Sequence, residues 1–565
     1  GKRNAQQITM INIYQLLPRL FGNANGQNIE NGTIEQNGCG KLNSISTKVL
    51  NDLRKQGYTH IWTTGVIEHA TQTDYTSHGI AKDHEGVVKG KAGSPYAIKD
   101  YYDIDPDLAV NVDKRMEEFE AMAERVHKAG LKLIIDFVPN HVARQYKSDA
   151  KPKRTADLGS KDDCTKAFDP QNNFYYMPNE GFTPQFDAKG YEENPAKATG
   201  NDVFSAHPSV NDWYETVKLN YGVDYCGGRA CHFDPTPDTW KKMRDILAFW
   251  AKKGVDGFRC DMAEMVPVEF WHWAIAEIKK KFPEIIFIAE VYNPDQYRSY
   301  IHHGGFDYLY DKVGLYDTLR AATCGHTSAS AITSQWQSVD DIQSHMLNFL
   351  ENHDEQRIAS DFFAQNGENA IAALIVSATL SACPFMVYAG QEFGERGMDK
   401  EGFSGRDGRT TIFDYWKVDT LSRWYNSGKI DGKLMSDNEN KLRQIYSKLL
   451  NLRTKEKALQ EDSKRYDLQW LNYDNPDYND YKVYSYFRQS EDGKETLLVA
   501  VNFGDQNADT AINISAHAME YLHLKEKKYT CKDLLSDKQW SQKLCANEKF
   551  TLQIPARSGV ILKMR

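Results

Sequence analysis

The sequence has no apolar run long enough to cross a bilayer, which excludes a membrane-spanning helix within these 565 residues. Lysine and arginine are scattered with no sustained basic stretch, and the net charge is −9. Nucleic acid is therefore excluded as the main partner. Cysteine is scarce and odd in number, nine in all, and no spacing among the nine matches a zinc site. Cys226 and Cys231 lie five apart in a glycine-rich segment, and Cys531 and Cys545 lie in the C-terminal region. Both pairs could bridge locally, which spacing alone does not decide. Cys260 and Cys383, inside apolar runs, read as small buried hydrophobes. Internal repeats and low-complexity tracts are absent too, leaving no basis for a repeat array or a compositional linker.

What is present is an ordinary globular composition, 41% hydrophobic and 26% charged, on a chain long enough for more than one domain. Aromatics reach 12%, with 31 Tyr and 11 Trp, which suits large cores and sugar-stacking surfaces alike. The chain begins Gly-Lys-Arg-Asn. The expectation from that start is a removed leader and a periplasmic or extracellular home.

Short apolar runs alternate with helical patterns. Runs at 8–14, 60–63, 131–137, 257–261, 285–289, 306–310, 347–350 and 385–388 predict eight strands. Helical periodicity falls between them at 47–56, 115–129, 238–252, 267–281, 315–322, 369–381 and 438–457. This rhythm predicts an α/β fold, a (β/α)8 TIM barrel, built from residues 1–140 and 238–457. Residues 64–106 read as a long loop. From 141 to 237 periodicity fades, and aromatic islands such as Phe174-Tyr175-Tyr176 and Trp213-Tyr214 stand among polar residues. That is too long for a plain connection and predicts an inserted subdomain after the third strand. Residues 458–565 alternate in short runs and predict a C-terminal all-β sandwich. The asparagine-rich loop at 22–41 reads as solvated, with Asn23, Asn25 and Asn28 as a lesser candidate for an oxygen-lined site.

In such a barrel the C-terminal strand ends surround one face. Arg259 and Asp261 stand two apart on the fourth strand and so share a side. A structural ion pair is the plain alternative for them. The fifth run ends in Glu290, the seventh leads into Glu351-Asn352-His353-Asp354, and the third runs from Asp136 into His141. Each acid alone would more often be a cap or an ion-pair partner. Together, clustered carboxylates force one to hold a proton while another stays ionised. That division is what acetal hydrolysis by two carboxyl groups needs.

These segments (136–141, 257–261, Glu290-Val291 and Asn352-His353-Asp354, with 384–392 as a last strand) stand in an order that resembles the α-amylase family, glycoside hydrolase family 13, over nearly the whole chain. The resemblance implies a bacterial retaining α-glycoside hydrolase acting on α-glucan oligo- or polysaccharides. The inserted segment corresponds to the family's domain B and the tail to its domain C. Asp261 matches the nucleophile, Glu290 the general acid/base and Asp354 the third carboxylate. Arg259 would keep the nucleophile ionised. His141 and His353 match histidines that bond the same sugar, and Tyr96 matches the tyrosine that stacks on it. Two departures stand out: Glu264-Met265 occupies the place of an acceptor-side Lys-His pair, and Ser94 that of a histidine. Glu264 and Met265 are therefore expected to bear on linkage preference. Asn140, with Asp234, is implied as a Ca2+ ligand between barrel and insert; no organic cofactor is implied. A transglycosylase with the same trio is the alternative. A non-catalytic glycan-binding protein is disfavoured, because all three carboxylates and Arg259 are present.

Overall fold

Eight short parallel strands close into a barrel in the computed structural model, which describes residues 10–24 and 26–565. They are β1 (Asn12–Leu16), β2 (His60–Thr63), β3 (Lys132–Phe137), β4 (Gly257–Cys260), β5 (Ile286–Ala289), β6 (Tyr308–Tyr310), β7 (Met346–Phe349) and β8 (Phe385–Tyr388). Each pairs with its successor, and β8 returns to β1 with Phe385 opposite Asn12. The strands are nearly continuous in apolar residues because one side fills the barrel and the other lies beneath helices. Positions 8 and 9 of the first expected run lie outside the described residues.

The helices follow from amphipathic spacing and local stops. Thr47–Gln56 buries Val49, Leu50 and Leu53, is capped by the Ser46 hydroxyl, and ends at left-handed Gly57 (φ 113°). Arg115–Lys128, Asp238–Lys252, Val268–Lys281 and Asp437–Lys455 pack around the barrel in the same way. The last helix is tied in by the buried Arg453, which donates to Asn12 Oδ1 (2.6 Å), the Ala378 carbonyl (2.7 Å) and the Cys383 carbonyl (2.6 Å).

Residues 64–106 are not a plain loop. Ile67–His69 pairs antiparallel with the seven-residue strand Ile98–Ile104, all of it buried. Its charged residues hid the strand in the sequence, yet each is matched: Lys99 bonds Asp83, and Arg115 forks onto Asp103 at 2.6 and 3.0 Å. The insert is a set of small antiparallel pairs. His141–Ala143 pairs with Thr216–Lys218, Tyr176–Met177 with Ala196–Lys197, and Val223–Asp224 with Ala230–Cys231. It continues directly from the end of β3, so its first strand delivers His141 to the barrel rim.

The C-terminal domain has a six-stranded sheet facing a two-stranded one. Their core includes Phe487, Leu498, Ile512, Leu552 and Leu562. It docks on the barrel through Arg488 on the Thr379 carbonyl (2.6 Å), Arg465 on the Leu380 carbonyl (2.9 Å) and the Tyr486–Thr379 hydroxyl pair (2.6 Å).

The sequence left the cysteine pairing and the asparagine-rich loop open. All nine cysteines are free. Cys531 stands opposite Trp540 in the 527–533/539–544 hairpin, and Cys545 lies five residues further along the ladder. That is about 17 Å at the strand rise, too far for a bridge. Cys226 and Cys231 sit exposed and unbridged on the 223–231 hairpin. Among the described residues of the asparagine-rich loop, Asn23 and Asn28 are engaged with neighbouring backbone. Asn23 Nδ2 donates to the Asn37 and Trp416 carbonyls, and Asn28 exchanges two bonds of 2.8 Å with Lys417. Those side chains stitch the loop to the segment around residue 416; Asn25 lies outside the described residues.

Candidate active site

One guanidinium lies at the centre of the strand-end cluster. Arg259, fully buried on β4, donates from Nη1 to Asp261 Oδ1 (2.9 Å) and to Asp136 Oδ1 (3.3 Å), from Nη2 to Glu290 Oε2 (2.7 Å), and from Nε to Tyr310 Oη (3.0 Å). The rings of Trp62, Tyr96 and Tyr310 surround it, with centroids 5.2, 5.4 and 5.5 Å from Cζ. A planar fork so saturated stays charged and fixes its carboxylates in direction as well as distance.

Both acids are held by backbone that continues the sheet pattern past the strand ends. Asp261 N–H donates to the Phe137 carbonyl (2.9 Å) and Glu290 N–H to the Cys260 carbonyl (3.2 Å). The chain then turns at Met262 (φ 43°), whose N–H donates to Glu290 Oε1 (2.8 Å), while Tyr292 Oη donates to Oε2 (2.9 Å). Burial, and next the Glu290 charge, push the Asp261 carboxyl well above its ordinary range; Arg259 opposes them. Asp354, from the loop after β7, differs. Burial would raise it, but His353, Arg259 and Arg409 bring it down to about 2, so it remains ionised. Its side chain is 41% exposed, facing the open mouth of the site.

A relay of donors sets the histidines. Gln15 Nε2 donates to His353 Nδ1 (2.8 Å), which leaves the Nε2 proton for Tyr96 Oη (2.8 Å). Tyr96 Oη in turn donates to Asp136 Oδ1 (3.1 Å), and Trp62 Nε1 to Asp136 Oδ2 (2.9 Å). Tyr96 also stacks on the His353 ring, with centroids 5.2 Å apart. Burial, followed by Lys218 and Lys89, lowers His141 to about 3, so it is neutral. Its Nδ1 accepts from Asn140 Nδ2 (3.0 Å), and its Nε2 lies 3.9 Å from Asp261 Oδ2.

These groups line a cavity of about 300 Å3, closed on one side by Trp213 and Glu215 of the insert and on another by Ile412 and Phe413. Lys89 pairs with Glu215 at 3.0 Å across its rim. Of the residues singled out in the sequence, the structure gathers Asp261, Glu290, Asp354, Arg259, Tyr96, His141 and His353 here. It does not bring Glu264 and Met265 to the cavity wall. The Glu264 carboxylate accepts from the N–H groups of Tyr292 (3.0 Å) and Asn293 (3.2 Å), bracing the loop that carries Tyr292, and the Met265 carbonyl faces Lys218 at 3.4 Å. The supporting residues Gln15, Trp62, Tyr292 and Tyr310 escaped the sequence reading, which marked Asp136 as the start of the 136–141 segment without giving it a role. Their signal was present: polar or hydroxyl-bearing side chains at or beside the C-terminal ends of otherwise apolar strand runs.

The implied calcium position does not fit its residues. Asn140 Oδ1 accepts from Lys218 Nζ (2.5 Å), whose other partner is Asp202 Oδ1 (2.7 Å), and a divalent cation and an ammonium cannot share that place. Asp234 is exposed and shares no hydrogen bond with Asn140 among the described residues. A second group, Glu68, Asp100 and Asp103, has ligand atoms within 4.8 Å of one another. Asp100, however, already accepts from Ser148 Oγ and from the N–H groups of Tyr102, Asp149 and Ala150, and Asp103 is forked by Arg115. The donors on Asp100 and Asp103 describe a brace. Burial, and next the Asp100 charge, push the Glu68 carboxyl well up, and neither of its oxygens has a hydrogen-bond partner among the described residues.

Against known proteins, the model of the α-amylase catalytic domain matches residues 15–521. Alpha-amylase 3 of Dictyoglomus thermophilum is 23% identical over 64% of this chain and 67% of its own length. The alpha-amylase of Streptomyces lividans is 23% identical over 93% of this chain and 56% of its own. Alpha-amylase MalA of Haloarcula japonica is 28% identical over 62% of this chain and 41% of its own. The chain thus spans only about two-fifths to two-thirds of these relatives. Among solved structures, the maltogenic alpha-amylase AmyB of Thermotoga neapolitana superposes with a TM-score of 0.63 at 20% identity, covering 99% of both chains. That likeness concerns the fold.

Proposed function

The chain belongs to the α-amylase family, and from that premise we propose that it is a retaining hydrolase of α-glucosidic bonds in starch-type glucans or maltooligosaccharides. The observation that carries the proposal is the single guanidinium of Arg259, which holds Asp261 and Glu290 on its two terminal nitrogens. A retaining mechanism asks for carboxyls about 5–5.5 Å apart, and a shared fork supports such closeness. Acting as the acid, Glu290 carries the proton that the glycosidic oxygen takes, while Arg259 stabilises the charge on Asp261. Asp261 Oδ2, the oxygen not engaged by Arg259, attacks the anomeric carbon as the bond to the leaving oxygen breaks and that oxygen takes the Glu290 proton. Water then gives its proton to Glu290 and displaces Asp261, restoring both acids. Ionised Asp354 opposes the positive charge that develops on the sugar in each step. Neutral His141 presents Nε2–H, and Tyr96 offers a ring face held by His353 and Asp136.

Transfer to a sugar hydroxyl uses the same groups. The apolar walls at Trp213, Ile412 and Phe413 favour it as a second reading, because they suit a carbohydrate acceptor better than bulk water. Incubation with amylose, pullulan, isomaltose-type oligomers and trehalose, with products resolved by size, tests both. Shorter products with a retained anomer are expected; products longer than the substrate indicate transfer. No cleavage of any α-glucan by the folded protein overturns the proposal.

A further inference from the structure

Lys218 lies outside every catalytic step above, yet it is buried to 2% exposure in the wall between barrel and insert. It closes the Thr216–Lys218 strand directly opposite His141. An ammonium has three donors, and three oxygens from three separate segments receive them. These are Asn140 Oδ1 at the end of β3 (2.5 Å), Asp202 Oδ1 in the insert (2.7 Å) and the Met265 carbonyl after β4 (3.4 Å). The Tyr225 ring lies beneath, 5.3 Å away. A carboxamide, a carboxylate and a peptide carbonyl are the oxygen types a hard divalent cation would collect at such a junction.

The consequence reaches the active site through one side chain. With its oxygen held by Lys218, the Asn140 amide turns its nitrogen to the Gly200 carbonyl (2.8 Å) and to His141 Nδ1 (3.0 Å). Donation to Nδ1 places the ring proton on Nε2, the nitrogen that faces Asp261. Were Asn140 flipped, Nδ1 would carry the proton and Nε2 would offer the sugar no donor.

We propose that Lys218 is a built-in cation standing where a bound divalent ion would otherwise join insert to barrel, and that through Asn140 it positions His141 for the sugar. The effect on kcat/KM rests on the function proposed above; the stability readout does not. Lys218 is a positioning residue, and a further site follows from it. Once the ammonium is removed, the Asn140, Asp202 and Met265 oxygens form a vacancy suited to Ca2+.

The test compares wild type with Lys218→Ala, using Ca2+ alone as the probe. Wild type is expected to keep its melting temperature after EDTA dialysis and to be unmoved by millimolar Ca2+. Lys218→Ala is expected to melt several degrees lower, with kcat/KM down about 10–100-fold, chiefly through KM. Millimolar Ca2+ should raise its melting temperature and recover part of the KM. Lys218→Arg, which keeps the charge, should retain more activity than Ala. If Lys218→Ala does not fold, Lys218→Gln carries the same comparison. A wild-type melting temperature that falls on chelation, a neutral variant indistinguishable from wild type, or a folded variant deaf to Ca2+ would each overturn the proposal. Failure of wild type to cleave any glucan leaves the melting data intact and counts against the function alone.

Discussion

The molecule contains two clusters of carboxylates gathered about one arginine each, with opposite fates. In one, Asp261, Glu290 and Asp354 surround Arg259 at the strand ends. In the other, Glu68, Asp100 and Asp103 lie beside Arg115 under the start of the insert. Glu68, Asp100 and Asp103 are no more than 3% exposed, and none of them lines the cavity at the strand ends. Asp100 spends both oxygens on four donors, three of them from residues 148–150, so it fastens the insert to the 98–104 strand. Burial, and next the Asp100 charge, push the Glu68 carboxyl well up, and neither of its oxygens has a hydrogen-bond partner among the described residues. In the first cluster Asp261 Oδ2 lacks a close donor, and Asp354 is ionised and open to the cavity. Chemistry therefore follows from an unspent oxygen facing space and from unequal proton affinities. Residue type alone yields a brace as readily as a site.

The comparison breaks most simply at the nucleophile. Asp261→Asn should lower kcat by about 10⁴-fold or more without changing the melting temperature, while Glu68→Gln should leave kcat within about twofold. Comparable losses in both would erase the distinction. Glu290→Gln should cost about 10²–10⁴ in kcat, and less on an aryl glucoside whose leaving group needs no proton. An equal loss on both substrates would deny Glu290 its role as acid. Arg259→Met acts on proton affinity. Arg259 lowers the Asp261 pKa, so without it the carboxyl holds its proton to higher pH, and the acid limb of the pH–rate profile should climb by about one unit or more. A limb that stays put would remove Arg259 from the electrostatics.

The smallest effect concerns stability. Glu68 has a raised folded-state pKa, so its contribution is fully present below the unfolded value near 4.5 and is lost as pH rises towards the folded value. Wild type should lose melting temperature from about pH 5 upward, and Glu68→Gln should flatten that slope. Parallel curves for the two proteins would show that Glu68 is ionised and paired.

The barrel and the gathering of carboxylates at its strand ends were legible because they rest on local periodicity and on strand-end placement. β2, the Thr47–Gln56 helix and the Asp238–Lys252 helix fall on the residues the pattern marks. What escaped depends on partners distant in sequence. The 98–104 strand was masked by Lys99, Asp100 and Asp103, whose buried matches come from residues 81–83, 115 and 148–150. The two backbone partners of Glu264 lie 28 and 29 residues away and left no local signal. Asp234 was chosen by sequence position, whereas Lys218, 78 residues beyond Asn140, reaches the amide across a strand pair. Cysteine spacing likewise left the pairing open, because register rather than separation decides whether two strands can be bridged.

The central claim is that Asp261 forms a covalent bond to the sugar while Glu290 manages the proton. The most direct measurement is mass spectrometry of the protein after reaction with a fluorosugar α-glucosyl fluoride that slows breakdown of the intermediate. The account predicts one added sugar mass, located by peptide mapping on Asp261 and absent from Asp261→Asn. A label on another residue, or no label together with product of inverted anomeric configuration, would contradict it.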